Sequence, residues 1–238
     1  MTTSRGADLL ARSLKQAGVR RIFTLSGNHI MPVFDAALSA GIELLHVRHE
    51  AAAVHMADAY ARLSGEVGIA MVTGGPGHAN AVSALYTAQM SESPVVLLSG
   101  HAPNNQAGMG AFQEMRQAEM SLPVVKAAWT SASADSVGSD IARAIAGAMS
   151  GRPGPTHLSL PTDALEDATN AGVPDAAAFK APAANVQKRL GASAKDIRRW
   201  AIANGYQIAD RARVPDTIRI AWATTMEIAL PTTAGDDQ

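Results

Sequence analysis

Short apolar runs alternate with longer stretches of helical periodicity over the first two thirds of the chain. The runs that predict strands lie at residues 20–27, 42–47, 67–74 and 94–100. They are almost continuously hydrophobic rather than strictly alternating, which is typical of strands that are buried on both faces. The pattern therefore predicts an α/β domain in which a parallel sheet is flanked by helices on both faces.

The stretches between these runs predict the helices. After the first run, apolar residues recur at helical spacing until Gly41: Ile30, Val33, Phe34, Ala37 and Leu38. A second helix is predicted from His49 to Leu63, and a third follows the glycines after residue 74. The segments IARAIAGAMSG and PTHLSLP predict one more helix and a late strand, so this domain is expected to cover residues 1–165.

The pattern changes after Glu166. Residues 166–190 are rich in Ala and Pro without a sustained period, as expected of a linker. Residues 191–224 predict a small two-helix module, because Ser193 and Asp196 resemble a capping box and Pro215 suits the start of a second helix. Residues 225–238 are expected to form a flexible tail.

The charge is unevenly distributed along the chain, with a basic region near its C-terminal end. The chain is 47% hydrophobic and 17% charged, enough apolar surface for a packed core, and its formal net charge is −1. Residues 188–219, however, carry eight basic side chains against three acidic ones. There is no cysteine, so disulfides and thiolate metal sites are excluded. No signal sequence or membrane-length apolar run is evident, and we expect a cytoplasmic protein.

Glu50 is the first candidate functional residue. The carboxyl ends of parallel strands and the amino ends of the following helices share one edge of the sheet, where ligands bind in such folds. The second strand leads directly to Arg48, His49 and Glu50. A carboxylate at a helix amino end also stabilises the helix dipole. Spacing alone leaves both readings open, a structural helix cap and an acid–base group.

The segment TGGPGHAN, residues 73–80, is the second candidate. Glycines between a buried strand and a helix let the backbone approach a ligand closely. The segment matches neither the dinucleotide-binding nor the P-loop motif, so a turn against an organic ring is favoured over a phosphate cradle. The seven histidines show no metal-binding spacing, and we expect no metal ligands in this chain.

Five motifs together resemble a known family. FTLSGNHIMPVFDA, RHEAAAVHMADAYAR, VTGGPGHANAVSAL, MGAFQE and GRPGPTHLSLPTD occur in the order and spacing of the pyrimidine-binding domain of thiamine diphosphate-dependent enzymes. The resemblance is to the acetolactate synthase and 2-hydroxyacyl-CoA lyase group and covers about residues 4–165. It implies that Glu50 hydrogen-bonds the aminopyrimidine ring of the cofactor and promotes the tautomer that removes the thiazolium proton.

The resemblance also implies further site residues. Gly27, Thr73, Pro76 and Asn80 correspond to cofactor-binding positions, and Phe112 and Gln113 lie in a loop that faces the substrate. Many acetolactate synthases have Tyr-Pro-Gly where this chain has Leu25, Ser26 and Gly27. The substrate, a 2-oxo acid or 2-hydroxyacyl compound, therefore stays open, as does the choice between cleaving and joining a carbon–carbon bond.

The resemblance further implies a missing partner. Family members hold Mg²⁺ and the diphosphate in a second cofactor domain, and no such segment occurs in this sequence. We expect either a homo-oligomer or a complex with a separate diphosphate-binding domain, and a chain that is inactive alone. A truncated or remodelled gene is the other reading. The surface that contacts such a partner should be large and apolar, which favours self-association.

Residues 193–222 resemble a second family, the C-terminal DNA-binding domain of actinobacterial H-NS-like nucleoid-bridging silencers. There, two helices flank an Arg-Gly-Arg turn that enters the minor groove of A·T-rich DNA. Arg211 and Arg213 correspond to the two arginines, and Ala212 replaces the glycine. Arg198 and Arg199 are candidates for phosphate contacts. The alternatives are a DNA-binding protein that uses the enzyme-like domain for oligomerisation, or a merely solvated basic helix pair.

Overall fold

A computed structural model describes residues 4–180 and 194–204. The chain divides into two compact units, Met1–Pro182 and Ala183–Gln238. None of the helices in the described ranges is long and apolar enough to cross a membrane.

Six parallel strands form the main sheet of the first unit, in the spatial order β3-β2-β4-β5-β7-β6. They are β2 (Arg21–Thr24), β3 (Glu43–His46), β4 (Gly68–Val72), β5 (Val95–His101), β6 (Ala128–Thr130) and β7 (Thr156–Pro161). A two-residue strand, β1 (Ser4–Arg5), pairs antiparallel with β8 (Ala168–Thr169).

Seven helices belong to the first unit. They are α1 (Gly6–Gln16), α2 (Met31–Ser39), α3 (Glu50–Ser64), α4 (Pro76–Met90), α5 (Gln117–Ser121), α6 (Val137–Met149) and α7 (Thr162–Glu166). Single 3-10 turns occur at Asn28–Ile30, Asn104–Gln106, Leu122–Val124 and Ala176–Phe179. The described part of the second unit is one helix, α8 (Ala194–Ala203).

The sheet separates two hydrophobic cores. Alternate residues of β4 point to opposite faces: Ile69 and Met71 lie in the core shared with α1, α2 and α6, whereas Ala70 and Val72 lie in the core shared with α3 and α4. β5 alternates in the same way. The predicted fold, a parallel sheet covered by helices on both faces, is therefore confirmed, and the continuous apolar runs are explained because each face of the strand is buried.

Several elements differ from the sequence-based expectation. α1 was not predicted. The short edge strand β6 was not predicted either, since a three-residue strand carries too little periodicity to recognise. The first unit also extends beyond residue 165, because β8 pairs with β1 and the buried side chain of Phe179 joins the first core. This Ala/Pro-rich segment lacks a period because it forms only a two-residue strand and a 3-10 turn.

The second unit contains the first of the two helices expected in the C-terminal module. α8 buries Ile197 and Ala201, which are one helical turn apart and therefore lie on one face of the helix. The second predicted helix, after Pro215, and the tail at 225–238 lie outside the described residues.

Candidate functional site

The candidate site lies where the direction of chain progression reverses in the sheet. β2 is followed by β3 on one side and has β4 on its other side, so the connections after β2 and after β4 diverge. α2 packs in one core, and α3 and α4 pack in the other. Such switch points leave a crevice at the carboxyl ends of the strands, which is where open parallel sheets bind ligands.

Glu50 is the first residue of α3, but it is not the residue that caps this helix. His49 occupies the N-cap position in an extended conformation, and its Nδ1 accepts a hydrogen bond from the backbone N–H of Ala51 at 3.2 Å. The cap is thus supplied by an imidazole, which leaves the Glu50 carboxylate available for other contacts. It lies half-buried at the positive end of the helix dipole.

Asn80 is the polar partner of Glu50. Its Nδ2 donates a hydrogen bond to Glu50 Oε2 at 3.0 Å, thirty residues away in sequence. Asn80 lies on the second turn of α4, which begins at the exposed Pro76. The contact therefore joins the helices that follow β3 and β4. It occupies one carboxylate oxygen of Glu50 with a neutral donor.

Glycines let the backbone and Thr73 approach this carboxylate closely. A Cβ atom at Gly27 would lie 2.4 Å from Thr73 Cβ, and one at Gly77 would lie 2.7 Å from Thr73 Cγ2 and 3.4 Å from Glu50 Oε1. Both distances to Thr73 are too short for any side chain. The structure thus brings Gly27, Thr73, Asn80 and Glu50 together, with Pro76 at the adjacent helix start.

His29 was missed by the sequence analysis. It is buried in the 3-10 turn after Gly27, and its Nδ1 lies 3.2 Å from Thr73 Oγ1. Burial lowers the pKa of His29, so the ring is neutral at pH 7. Its ring stacks on Phe112 with centroids 5.8 Å apart. A single histidine outside a metal-binding motif gives no functional signal in a sequence. The one available indication was its position two residues after Gly27, a predicted site residue.

The loop after β5 carries the predicted substrate-facing residues. Phe112 is 68% exposed, which is a high exposed fraction for an aromatic side chain, and its ring stacks on His29. Gln113 adopts a positive φ of 56°, and its backbone lies against the glycine-rich turn, since a Cβ at Gly75 would come within 2.8 Å of it. Glu114 folds the loop by accepting backbone hydrogen bonds from Gly108, Gly110 and Ala111. These bonds, foremost the one from Gly108, lower the pKa of the Glu114 carboxyl.

These side chains form a suitable site for a flat nitrogen heterocycle. A half-buried carboxylate and an amide stand beside closely packed glycines, with an exposed aromatic ring on the loop. Such a donor set can hydrogen-bond ring nitrogens and amino groups. Within residues 4–180 and 194–204, there is no group of three or more His, Asp or Glu side chains that would hold a metal ion.

The proposed DNA-contacting residues are only partly described. Arg198 and Arg199 lie on α8, the first half-buried and the second exposed. Arg211 and Arg213 lie outside the described residues.

Both parts of the chain are similar to known protein families. Residues 4–120 match the family described as thiamine pyrophosphate enzyme, N-terminal TPP binding domain. Residues 189–224 match the Lsr2 DNA-binding domain. The chain is 42% identical over 164 residues to the acetolactate synthase isozyme 3 large subunit of Escherichia coli, covering 68% of this chain and 29% of that protein. It is also 42% identical over 160 residues to human 2-hydroxyacyl-CoA lyase 2, covering 67% of this chain and 25% of that protein.

Proposed function

Because the N-terminal domain of this chain is similar to the N-terminal TPP binding domain of thiamine pyrophosphate enzymes, we propose that it binds the aminopyrimidine ring of thiamine diphosphate through Glu50. The observation that carries the proposal is the Glu50–Asn80 pair at the glycine-lined switch point. It joins elements that are distant in sequence at the place where this fold binds ligands.

The residues of this chain would hold and polarise the ring. The Glu50 carboxylate would accept a hydrogen bond from a ring nitrogen that carries a proton, and the Asn80 amide would hold the carboxylate in its rotamer. Gly27 and Gly77 would let Thr73 pack closely beside Glu50, which fixes the backbone around the carboxylate. When bound, the cofactor supplies the carbanion chemistry that breaks or forms a carbon–carbon bond next to a carbonyl.

The proposed substrates are 2-oxo acids or 2-hydroxyacyl compounds. This proposal rests on the relatives, an acetolactate synthase and a 2-hydroxyacyl-CoA lyase, of which the chain spans less than a third. Phe112 and Gln113 would contact the substrate, since they lie on the loop that closes over His29 and the glycine-rich turn. The exposed ring of Phe112 would cover the apolar part of a substrate.

A second domain would complete the site. We propose that a diphosphate-binding partner, either a separate chain or part of an oligomer, holds Mg²⁺ and the diphosphate. The outer surface of α3 and α4 supports such a contact, because it exposes four large apolar side chains on two helices that share one core: Met56, Leu63, Tyr86 and Met90. Exposed apolar side chains in such proximity are typical of contact surfaces.

The test combines the full chain with a diphosphate-binding domain, thiamine diphosphate, Mg²⁺ and a 2-oxo acid. Glu50→Gln should reduce turnover at least about a hundredfold, since positioned acid–base groups contribute a factor of that order or more. Glu166→Gln, at the exposed end of α7, is the matched control and should leave turnover unchanged. Equal turnover of Glu50→Gln and wild type would refute the role of Glu50.

DNA binding by the C-terminal module is the second candidate function. It is favoured by the match of residues 189–224 to the Lsr2 DNA-binding domain. We propose that Arg211 and Arg213 enter the minor groove of A·T-rich DNA and that Arg198 and Arg199 contact phosphates. The first domain would then serve as an oligomerisation platform.

Anisotropy of labelled A·T-rich and G·C-rich duplexes across a salt series tests this second function. The wild type should prefer the A·T-rich duplex and should bind more weakly as salt rises. Replacing Arg211 and Arg213 by Ala should abolish the preference, whereas Arg116→Ala, in the first domain, should not. Equal binding of both duplexes by the wild type would rule out minor-groove recognition.

A further inference from the structure

A buried glutamine supports the glycine-rich turn from within the protein. Gln117, the first residue of α5, is only 1% exposed. Its Oε1 accepts a hydrogen bond from the backbone N–H of Gly75 at 2.8 Å. Its Nε2 donates to the carbonyl oxygen of Gly100 and to Ser159 Oγ, both at 3.1 Å. One side chain therefore joins the turn after β4, the end of β5 and the interior of β7.

The turn needs such a partner because of its backbone conformation. Gly75 has φ 58° and ψ −115°, a backbone conformation that residues other than glycine rarely adopt. Its N–H donates to Gln117 and would be an unpaired buried donor without that side chain. A Cβ at Gly74 would lie 2.7 Å from the Gly100 carbonyl oxygen, so the turn is packed against the end of β5. The amide of Gln117 satisfies the backbone groups of both segments.

The other end of α5 supports the start of α4. Ser121 Oγ lies 3.1 Å from His78 Nε2, and His78 Nδ1 lies 2.8 Å from Ser99 Oγ. All three side chains are fully buried. Burial lowers the pKa of His78 to about 4, so the ring is neutral at pH 7 and pairs with two hydroxyl groups. α5 thus contacts the turn and the adjacent helix at two points.

The loop that carries Phe112 and Gln113 leads directly into α5. Gln113 lies against Gly75 on one side of the turn, and Gln117 binds the N–H of Gly75 on the other. This glycine-rich turn sets the start of α4 and therefore the position of Asn80. Asn80 in its turn holds the Glu50 carboxylate through a hydrogen bond.

We propose that Gln117 is a positioning residue, which fixes the glycine-rich turn and through it the Asn80–Glu50 pair. This role rests on the proposed function for its catalytic consequence, but the contact with Gly75 can be tested without cofactor. Gln117 would touch neither cofactor nor substrate, since it is enclosed by the ends of β4, β5 and β7.

The experiment uses the full ¹⁵N-labelled chain and two variants, Gln117→Leu and Gln117→Glu. Gln117→Leu should speed amide hydrogen exchange of Gly75 about tenfold or more, because its buried N–H loses its acceptor. It should also shift the Asn80 side-chain resonances, because the turn that sets the start of α4 loses this support. Gln117→Glu can make the same contacts only with a protonated carboxyl group, since a carboxylate has no donor for the Gly100 carbonyl oxygen. It should therefore restore part of the protection of Gly75 at low pH and lose it as the pH rises. The affinity for thiamine diphosphate with Mg²⁺, measured by calorimetry, should fall about tenfold in Gln117→Leu.

Two controls separate positioning from stability. Gln106→Leu makes the same substitution on an exposed turn, and Ile145→Val weakens the distant core around α6. Neither should alter Gly75 exchange relative to other amides, nor the affinity. Unchanged Gly75 exchange in Gln117→Leu would overturn the proposal, as would faster exchange with unshifted Asn80 resonances. If the wild type binds no cofactor even with the diphosphate-binding domain present, the proposed function fails, and the amide and Asn80 signals alone decide the role of Gln117.

Discussion

Two polar regions meet at the first turns of α4, and they differ in their access to water. On one side, Glu50 is half-buried and Asn80 is exposed. On the other, Gln117, His78 and His157 are almost completely enclosed. The first region contains a charged group that a ligand can reach, whereas the second uses neutral groups that bond to one another and to the backbone.

Internal support and proton exchange with a ligand require different kinds of side chain. A buried charge is costly unless it is paired, so a support inside the protein is built from amide, hydroxyl and neutral imidazole groups. A group that exchanges protons with a ligand must remain accessible, and a carboxylate at a helix amino end meets that need. Gly75 links the two regions, because its N–H binds Gln117 and it is the N-cap of α4, the helix that carries Asn80.

Gly75→Ala should have the largest effect, because it disturbs both regions together. The added Cβ would lie 2.8 Å from Gln113 Cβ at a positive φ, and we expect a loss of about 3–5 kcal/mol in unfolding free energy from strain and overpacking. Urea denaturation measures it. Gly108→Ala is the control, since Gly108 also has positive φ but nothing within 4 Å of its added Cβ. It should cost only about 1–2 kcal/mol. Equal losses in the two variants would show that the turn is not tightly enclosed.

The buried region should make stability depend on pH. The folded-state pKa of His78, about 4, is below the unfolded value of about 6.5, so the unfolded chain binds more protons between these values. Stability is therefore complete above about pH 6.5 and falls toward pH 4, by up to about 3 kcal/mol. Burial also lowers the pKa of His157 well below its usual range, in the same direction.

Unfolding free energies from urea titrations at pH 7 and pH 4.5 would measure this dependence. His78→Gln should show a smaller difference between the two pH values, because it removes one of three buried imidazoles of the described residues, the others being His29 and His157. His55→Gln, on the exposed side of α3, is the matched control and should keep the full difference. A difference that His78→Gln leaves unchanged would show that His78 does not supply it.

Asn80→Ala should have the smallest effect. The hydrogen bond to Glu50 is exposed, so its loss should cost stability no more than about 1 kcal/mol. The affinity for thiamine diphosphate should fall about tenfold, as in Gln117→Leu, because Gln117 is proposed to act through Asn80 and Asn80 holds the Glu50 carboxylate. Calorimetric titration checks this, and Asn105→Ala, in an exposed turn, serves as the control. A loss of stability as large as that in Gly75→Ala would mean that the Asn80–Glu50 hydrogen bond has a structural role in the fold.

The sequence predicted the accessible region better than the buried one. Parallel strands place the residues after their carboxyl ends on one edge, so the proximity of Glu50 to Thr73 follows from periodicity and topology. The contact between Asn80 and Glu50 needs the angle between α3 and α4, which sequence spacing does not give. Gln117 and His29 act through burial and long-range contacts, and neither residue belongs to a local pattern that predicts such contacts.

The measurement that tests the central claim most directly is an NMR titration of the ¹⁵N-labelled chain with thiamine diphosphate and Mg²⁺. If Glu50 and the glycine-rich turn bind the aminopyrimidine ring, the amides of Gly27, Gly75 and Gly77 should shift together, and Glu50→Gln should remove the shifts. The amides of Gly18 and Gly65 should not move, because they line a separate cavity of about 290 Å³ with residues that precede β2 and β4. Shifts confined to that cavity, or unchanged shifts in Glu50→Gln, would contradict the account.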